Sequence, residues 1–248
     1  MRVALVIAGF VVAVGCASSN KGPADATDIP GHTPGMPGIG AHGVNFYRYR
    51  ADSPSSIATP TMATQPSGSA IVVSIGRGDK QFFVLPTDNK GNAPYQQLGD
   101  VHNYLPYFPN SGTALYAFTS AKGGTDFQVT ASTDPADEIT VAAVEVVEGT
   151  RIQDFQWNEL NNLPITSKSV TTTGPATLIA FWWGDAAAPG DQTATADNGF
   201  VVVDSVLFGG SLVQCAVAVK NVDTAGTYNV TWTATPEQGA QLWLVAVQ

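Results

Sequence analysis

The stretch YNVTWTA, residues 228–234, alternates residue by residue, with Tyr228, Val230, Trp232 and Ala234 set against Asn229, Thr231 and Thr233. A period of two is the pattern of a β-strand with one face in a core and the other in water. The segment FQVTAS, residues 127–132, reads the same way, with Phe127, Val129 and Ala131 on one side and Gln128, Thr130 and Ser132 on the other. Around these lie longer apolar runs: AIVVSI (70–75), ITVAAVEVV (139–147), TLIAFWW (177–183) and QLWLVAV (241–247). Such runs are more continuously apolar, as strands in the centre of a sandwich are. Turn residues separate them at short intervals, at Asp88-Asn89-Lys90-Gly91-Asn92, Gly123-Gly124, Asp197-Asn198-Gly199, Gly209-Gly210 and Ala225-Gly226. The pattern predicts an all-β sandwich fold.

The chain repeats itself. Displaced by 106 residues, GSAIVVSIGRGD from Gly68 lies on GPATLIAFWWGD from Gly174. Displaced by 101, FQVTASTDPADEITVAAVEV from Phe127 lies on YNVTWTATPEQGAQLWLVAV from Tyr228, with Val129 on Val230, Val144 on Val245 and Val146 on Val247. Two related β-units are expected, near 67–147 and 169–248, as tandem sandwiches of jelly-roll or immunoglobulin-like type. The first domain spans 44–150 and the second 169–248. Between them, RIQDFQWNELNNLP spaces Ile152, Phe155, Leu160 and Leu163 near a helical period and stops at Pro164. A short amphipathic helix or a packed connector over 151–168 both fit.

The N-terminus has a different character. Arg2 precedes an apolar run from Val3 to Val14, whose twelve residues cover only about 18 Å as a helix, too short to cross a bilayer. Those are the proportions of a signal peptide over residues 1–15. It ends in Ala13-Val14-Gly15-Cys16, which resembles the lipobox of bacterial lipoproteins, with alanine at Ala13 where leucine is commoner. The resemblance implies cleavage before Cys16, acylation of its thiol, export, and attachment to a membrane through lipid. Ala17 after the cysteine implies the outer membrane or cell surface in the Gram-negative family. Residues 16–43, rich in proline, glycine and small polar side chains, are expected to be a disordered tether spanning about 30 Å.

The region 67–248 resembles a widespread class of uncharacterised secreted bacterial β-repeat proteins. The shared features are the Asp88-x-x-Gly91-Asn92 hairpin, the Gly-Gly-then-strand element, VAAVEVVEG and the terminal GTYNVTW…LWLVAV. That resemblance implies extracellular display and carries no catalytic residues.

Composition narrows the function classes. The chain has 20 acidic and 11 basic residues, a formal charge of −9. The scarce, scattered Lys and Arg offer no face for phosphate, so nucleic acid is not an expected partner. Gly38-x-Gly40-x-x-Gly43 matches a nucleotide-binding glycine motif only in letters, since no strand–helix junction surrounds it, and no nucleotide is expected. With Cys16 acylated, Cys215 stands alone in an apolar run as a small buried hydrophobe.

Arg77-Gly78-Asp79 forms an RGD tripeptide, read here as a strand-ending turn. His32 and His42 fall in the tether, leaving His102 as the histidine of the folded region, and no nucleophile elbow or zinc motif occurs. Glu145 with Glu148, and Asp134 with Asp137 and Glu138, are the paired carboxylates; the latter group is expected to be a solvated turn. No resident cofactor is expected; if a cation binds, calcium suits the hard oxygens of Asp88, Asn89 and Asn92.

Sugar recognition is the specific alternative. Tyr104, Tyr107, Phe108 and Asn110 form an aromatic insertion with no counterpart in the second unit. Trp182 and Trp183 face opposite sides of a strand, so one is expected in the core and the other exposed. The expectation is therefore a lipid-anchored surface protein of structural, adhesive or binding type rather than an enzyme. The partners expected on this reading are the membrane, through the lipid anchor, and a glycan or surface protein. A glycan-binding module is the alternative, and a hydrolase with an unrecognised carboxylate site is the third reading.

Overall fold

The computed structural model describes residues 35–49, 53–79, 82–105, 108–185, 190–234 and 240–248. Among these the regular structure is entirely β, as the alternation predicts, with every paired strand antiparallel. Cys16 and Tyr107 lie outside the described residues.

The first half supplies β1 (Gly38–Tyr47), β2 (Ser56–Ala58), β3 (Ser67–Arg77), β4 (Thr87–Asp88), β5 (Gln96–Gln97), β6 (His102–Tyr104), β7 (Phe108–Lys122), β8 (Val129–Ser132) and β9 (Ile139–Val147). The second supplies β10 (Ile152–Leu160), β11 (Ile165–Thr166), β12 (Val170–Thr172), β13 (Ala176–Asp185), β14 (Thr195–Ala196) and β15 (Val201–Val206). It ends with β16 (Val213–Val222), β17 (Gly226–Tyr228), β18 (Thr231–Ala234) and β19 (Ala240–Val247).

The halves are wound alike. One large sheet runs β1-β9-β3-β7-β5, with β6 also on β7, and the other runs β10-β19-β13-β16-β15. Each is covered by a small sheet of the same order, β2-β8-β4 in the first half and β11-β18-β14 in the second; β12 and β17 add a further pair. Side chains repeat with the strands. Asn45 Nδ2 donates to the Ala58 carbonyl (2.7 Å), and Asn158 Nδ2 donates to the Thr166 carbonyl (3.0 Å), each tying an edge strand to the small sheet. Thr59 Oγ1 accepts from the Val129 amide, and Ser167 Oγ accepts from the Val230 amide, both at 3.1 Å.

Register corrects the sequence alignment at one point. Val72 pairs with Val144, and Ile179 pairs with Val245, so Val72 corresponds to Ile179 at a displacement of 107 rather than 106. A one-residue slip moves every side chain to the opposite face. The Gly-Asp match that suggested 106 aligned strand ends rather than strand faces.

The two large sheets pack against each other. Their shared core takes eleven buried residues from each half, among them Val72, Leu115, Val144 and Tyr104 from the first, and Phe181, Trp183, Val217 and Trp243 from the second. Each large sheet also buries its other face under its own small sheet, around Ile71, Val73 and Phe127 in one half and Leu178, Trp182 and Trp232 in the other. The central strands therefore have no wet face, which explains their unbroken apolar runs.

Trp182 and Trp183 do face opposite sides, but both sides are cores: each is almost completely buried, so the exposed tryptophan expected from the sequence is absent. Trp183 lies directly over Gly76, where an added Cβ would come within 1.9 Å of the indole nitrogen. At a displacement of 107 these two residues are counterparts. A residue that touches its own counterpart lies at the approximate twofold axis relating the halves.

Two boundaries also move. Strand β1 begins at Gly38, inside the segment read as tether. Its glycines serve packing, since a Cβ on Gly40 would come within 2.3 Å of Glu145 Oε2. Residues 152–160 form an edge strand, not a helix. A register shift between Ile152 and Asp154 puts Ile152, Phe155 and Trp157 against the shared core, so a β-bulge produced the three-residue spacing that mimicked a helical period.

Replacing Gly76 with valine is expected to cost about 3 kcal/mol or more, because the indole above it is locked by both sheets. Gly174→Ala, whose Cβ meets nothing nearer than 3.6 Å, is the matched control in urea denaturation. Equal midpoints for the two variants would contradict the packing described.

Candidate functional site

Strand registers define two poles. Tyr47, Ile139, Arg77 and Gly112 align across one large sheet. Leu160 pairs with Ala240, and Asp185 with Val213, at the corresponding end of the other. Trp183 over Gly76, and the hydrogen bond from Thr113 Oγ1 to Gln241 Oε1 (2.6 Å), bring these ends together as one pole. The chain enters the fold at the opposite pole, where Gly38 pairs with Val147.

Exposed apolar side chains concentrate at the first pole. Of the ten large hydrophobic residues exposed among the described residues, six stand on its connections: Tyr49, Phe82, Leu105, Phe108, Leu163 and Phe208. Leu105 is the most exposed, at 68%. It tips the β6–β7 hairpin, held where Tyr104 pairs with Phe108 and where Ser111 Oγ donates to the Phe108 carbonyl (2.7 Å). Phe208 stacks on Phe46 with ring centroids 5.6 Å apart. Single exposed hydrophobics are ordinary, whereas a group at one end of a molecule marks a contact surface.

The residues proposed for sugar stacking do not assemble. Phe108 and Asn110 are exposed at this pole, but Tyr104 is fully buried, edge-on to Trp183 at 5.9 Å between centroids, and both tryptophans are in cores. Three of the ring residues are thus committed to packing, and of the described rings among those named Phe108 alone is exposed.

Beneath the pole lies a buried ion pair that the sequence reading missed. Arg77 Nε donates to Asp137 Oδ2 (3.1 Å), and both side chains are essentially inaccessible. The guanidinium also donates to the carbonyls of Phe82 (2.7 Å), Thr133 (3.4 Å), Asp134 (3.4 Å) and Pro135. The Asp79 amide and the Ser53 hydroxyl also bond Asp137, the first donating to its carboxylate and the second accepting from its amide. The RGD arginine is therefore a structural clamp, not a displayed ligand. Asp137 and Glu138 are buried too, which corrects the expected solvated turn; only Asp134 of that group is exposed. Alternation within the strand could not reveal this, because the partners are brought together across 60 residues of chain.

Glu145 is likewise structural. Its carboxylate accepts from the Ala41 amide (3.0 Å), the Gln65 amide (2.7 Å) and the Ser69 hydroxyl (2.6 Å), tying β1, β9 and the start of β3 together. Beside it, at the pole where the chain enters, is a depression of about 420 Å3 lined by Gln65, Ser67, Ser69, Val147 and Glu148.

The loop suggested for calcium is closed by its own bonds. Asp88 Oδ1 accepts from the amides of Lys90 (2.9 Å) and Asn92 (3.1 Å), and Asp88 Oδ2 from the Tyr95 hydroxyl (2.8 Å). Asn89 pairs with Gln128 and Asp126, and Asn92 exchanges two hydrogen bonds with Lys122. Each side chain satisfies turn backbone, as Asx residues do. Among the described residues no three His, Cys, Asp or Glu side chains gather as a metal site.

The two described histidines lie on opposite seams between the halves. His42 Nδ1 is 3.4 Å from Asp204 Oδ2, joining β1 to β15, so this residue belongs to the fold rather than the tether. His102 stacks flat on Trp157 (3.8 Å between centroids, 6° between planes) and leans on Trp243. Around it Gln241 Nε2 donates to the His102 carbonyl (3.2 Å) and to Glu159 Oε2 (3.3 Å), while Trp243 Nε1 donates to Thr113 Oγ1 (3.0 Å). Burial lowers the His102 pKa, outweighing the nearby Asp100, with Lys168 adding to the decrease; burial raises that of Glu159. The imidazole is thus held by ring stacking and the carboxyl by an amide, an arrangement that joins strands. Cys215 is buried, and burial together with Asp204 pushes its thiol up, so no reactive thiolate forms there.

Comparison of the chain with protein-family models, with curated proteins and with solved structures finds no match.

Two outcomes follow for these groups. Truncating Asp137 to alanine leaves a buried guanidinium without its counter-charge and is expected to cost about 3–5 kcal/mol in denaturant unfolding. A cost under about 1 kcal/mol would show that the pair is not buried as described. For His102, a lowered pKa in the folded state means that the unfolded chain binds the proton more readily. Its contribution to stability is therefore present above pH 6.5 and lost as pH falls through the folded value. The difference in stability between the native chain and His102→Asn should shrink from pH 7.5 to pH 5; a difference that grows on acidification would contradict the burial.

Proposed function

We propose that this chain is exported, cut before Cys16 and acylated there, and acts at a bacterial outer membrane or cell surface as an adhesive or binding module. The supporting observation is the polarity of the fold. The described chain enters at one pole, and most of the exposed apolar side chains stand at the other. A module joined to its anchor through one pole leaves the other free for contact.

The apolar pole favours this reading over glycan recognition, which has lost Tyr104, Trp182 and Trp183 to the cores. It also favours it over hydrolysis, because the buried carboxylates Glu145 and Asp137 are occupied by amides, a hydroxyl and a guanidinium. Two or more acyl chains would hold such a protein on the membrane stably.

The test is metabolic labelling with palmitate in a bacterial host carrying the full chain. Label on the native protein and its recovery in the membrane fraction are expected, with both lost in Cys16→Ser. An unlabelled protein that keeps residues 1–15 would overturn the proposal.

A further inference from the structure

We propose that the loop pole is a lipid-contacting surface, which seats the module on a bilayer through Phe82, Leu105, Phe108, Leu163 and Phe208. This deepens the contact role proposed above by naming its partner. Leu105 and Leu163 are aliphatic, and the aromatic side chains stand on different connections, so the surface offers apolar bulk rather than the flat aromatic platform that a sugar ring needs.

Residues 104–112, 161–166, 205–214 and 82–86 contain no Asp, Glu, Lys or Arg, in a chain whose formal charge is −9. The described charges bordering these segments include Arg48, Asp79, Asp134 and Asp191. Segments without cations gain nothing from anionic headgroups, and segments without charge lose little on leaving water. Their complement is the uncharged interior edge of a zwitterionic membrane, and binding should be independent of salt.

Given acylation at Cys16, the chain also has the reach for this contact. The segment from Cys16 to Gly35 spans up to roughly 60–70 Å when extended. The longest strand, the fifteen residues of β7, covers about 50 Å. A chain anchored by its lipid is therefore long enough to pass the length of the module and let the opposite pole meet the same bilayer. The anchor and the pole would then hold the module at two points.

The experiment uses the mature chain with Cys16→Ser, so that no acyl chain contributes, and phosphatidylcholine vesicles as the probe in flotation assays at 50 mM and 500 mM salt. Binding that is equal at both salt concentrations is expected. The combined variant Phe82→Ser, Leu105→Ser and Phe108→Ser is expected to lose at least tenfold in vesicle partitioning with an unchanged melting temperature. Should that variant unfold, Leu105→Ser alone, at the most exposed of these positions, replaces it and should still lose severalfold.

No flotation of the folded protein overturns the proposal, as does flotation that the variants leave unchanged or that needs anionic lipid. Self-association in sedimentation velocity that disappears in the variant, without vesicle binding, assigns the surface to a second copy and also overturns it. Because the probe protein is not acylated, these failures are distinguishable from failure of the palmitate test.

Discussion

The packing of the Trp183 indole onto Gly76 is the contact around which the molecule is organised. It occurs where each half meets its counterpart, and it requires one half to be large where the other has no side chain at all. A core formed by two identical faces would place bulk against bulk at that point. Divergence of the halves, Gly76 in one and Trp183 in the other, allows the two large sheets to close. Their eleven and eleven core residues then form one apolar layer rather than two surfaces in water. Each large buried side chain in it contributes on the order of 1.5–3 kcal/mol.

The polar groups follow from that closure. A molecule with three apolar layers leaves few places for charge, and those it has inside are tied at strand ends. Arg77 with Asp137 closes the loop pole, and Glu145 with its two amides and a hydroxyl closes the other. Buried ion pairs contribute less than hydrophobic replacements of equal volume, but losing one partner is costly. Their value here is geometric, because each fixes several connections at once.

Much of this was legible in the sequence, and the errors have physical causes. Alternation at 127–132 and 228–234 identified strands, and the displacement of 101 placed Val144 and Val245 correctly on the shared core. The displacement of 106 failed by one because glycine and aspartate mark where strands end, not which way side chains point. Of the two readings of 151–168, a short helix or a packed connector, the helix failed because a bulge changes the strand period locally. Trp182 and Trp183 were misjudged because alternation separates two faces without saying whether the second is wet. Only the packing of sheet on sheet decides that: Trp182 is covered by its own small sheet around Trp232, and Trp183 by Gly76 of the other half, 107 positions away. The apolar pole was half legible: the insertion containing Leu105 and Phe108 stood out, but the registers that gather Phe82, Leu163 and Phe208 beside it did not.

The central claim is that the two halves share one core and fold as one body. Differential scanning calorimetry of the unacylated mature chain tests it most directly. The account predicts a single endotherm whose calorimetric and van't Hoff enthalpies agree, with residues 151–248 alone showing no cooperative transition. Two resolved endotherms, or an isolated second half that melts cooperatively at one of them, would contradict it.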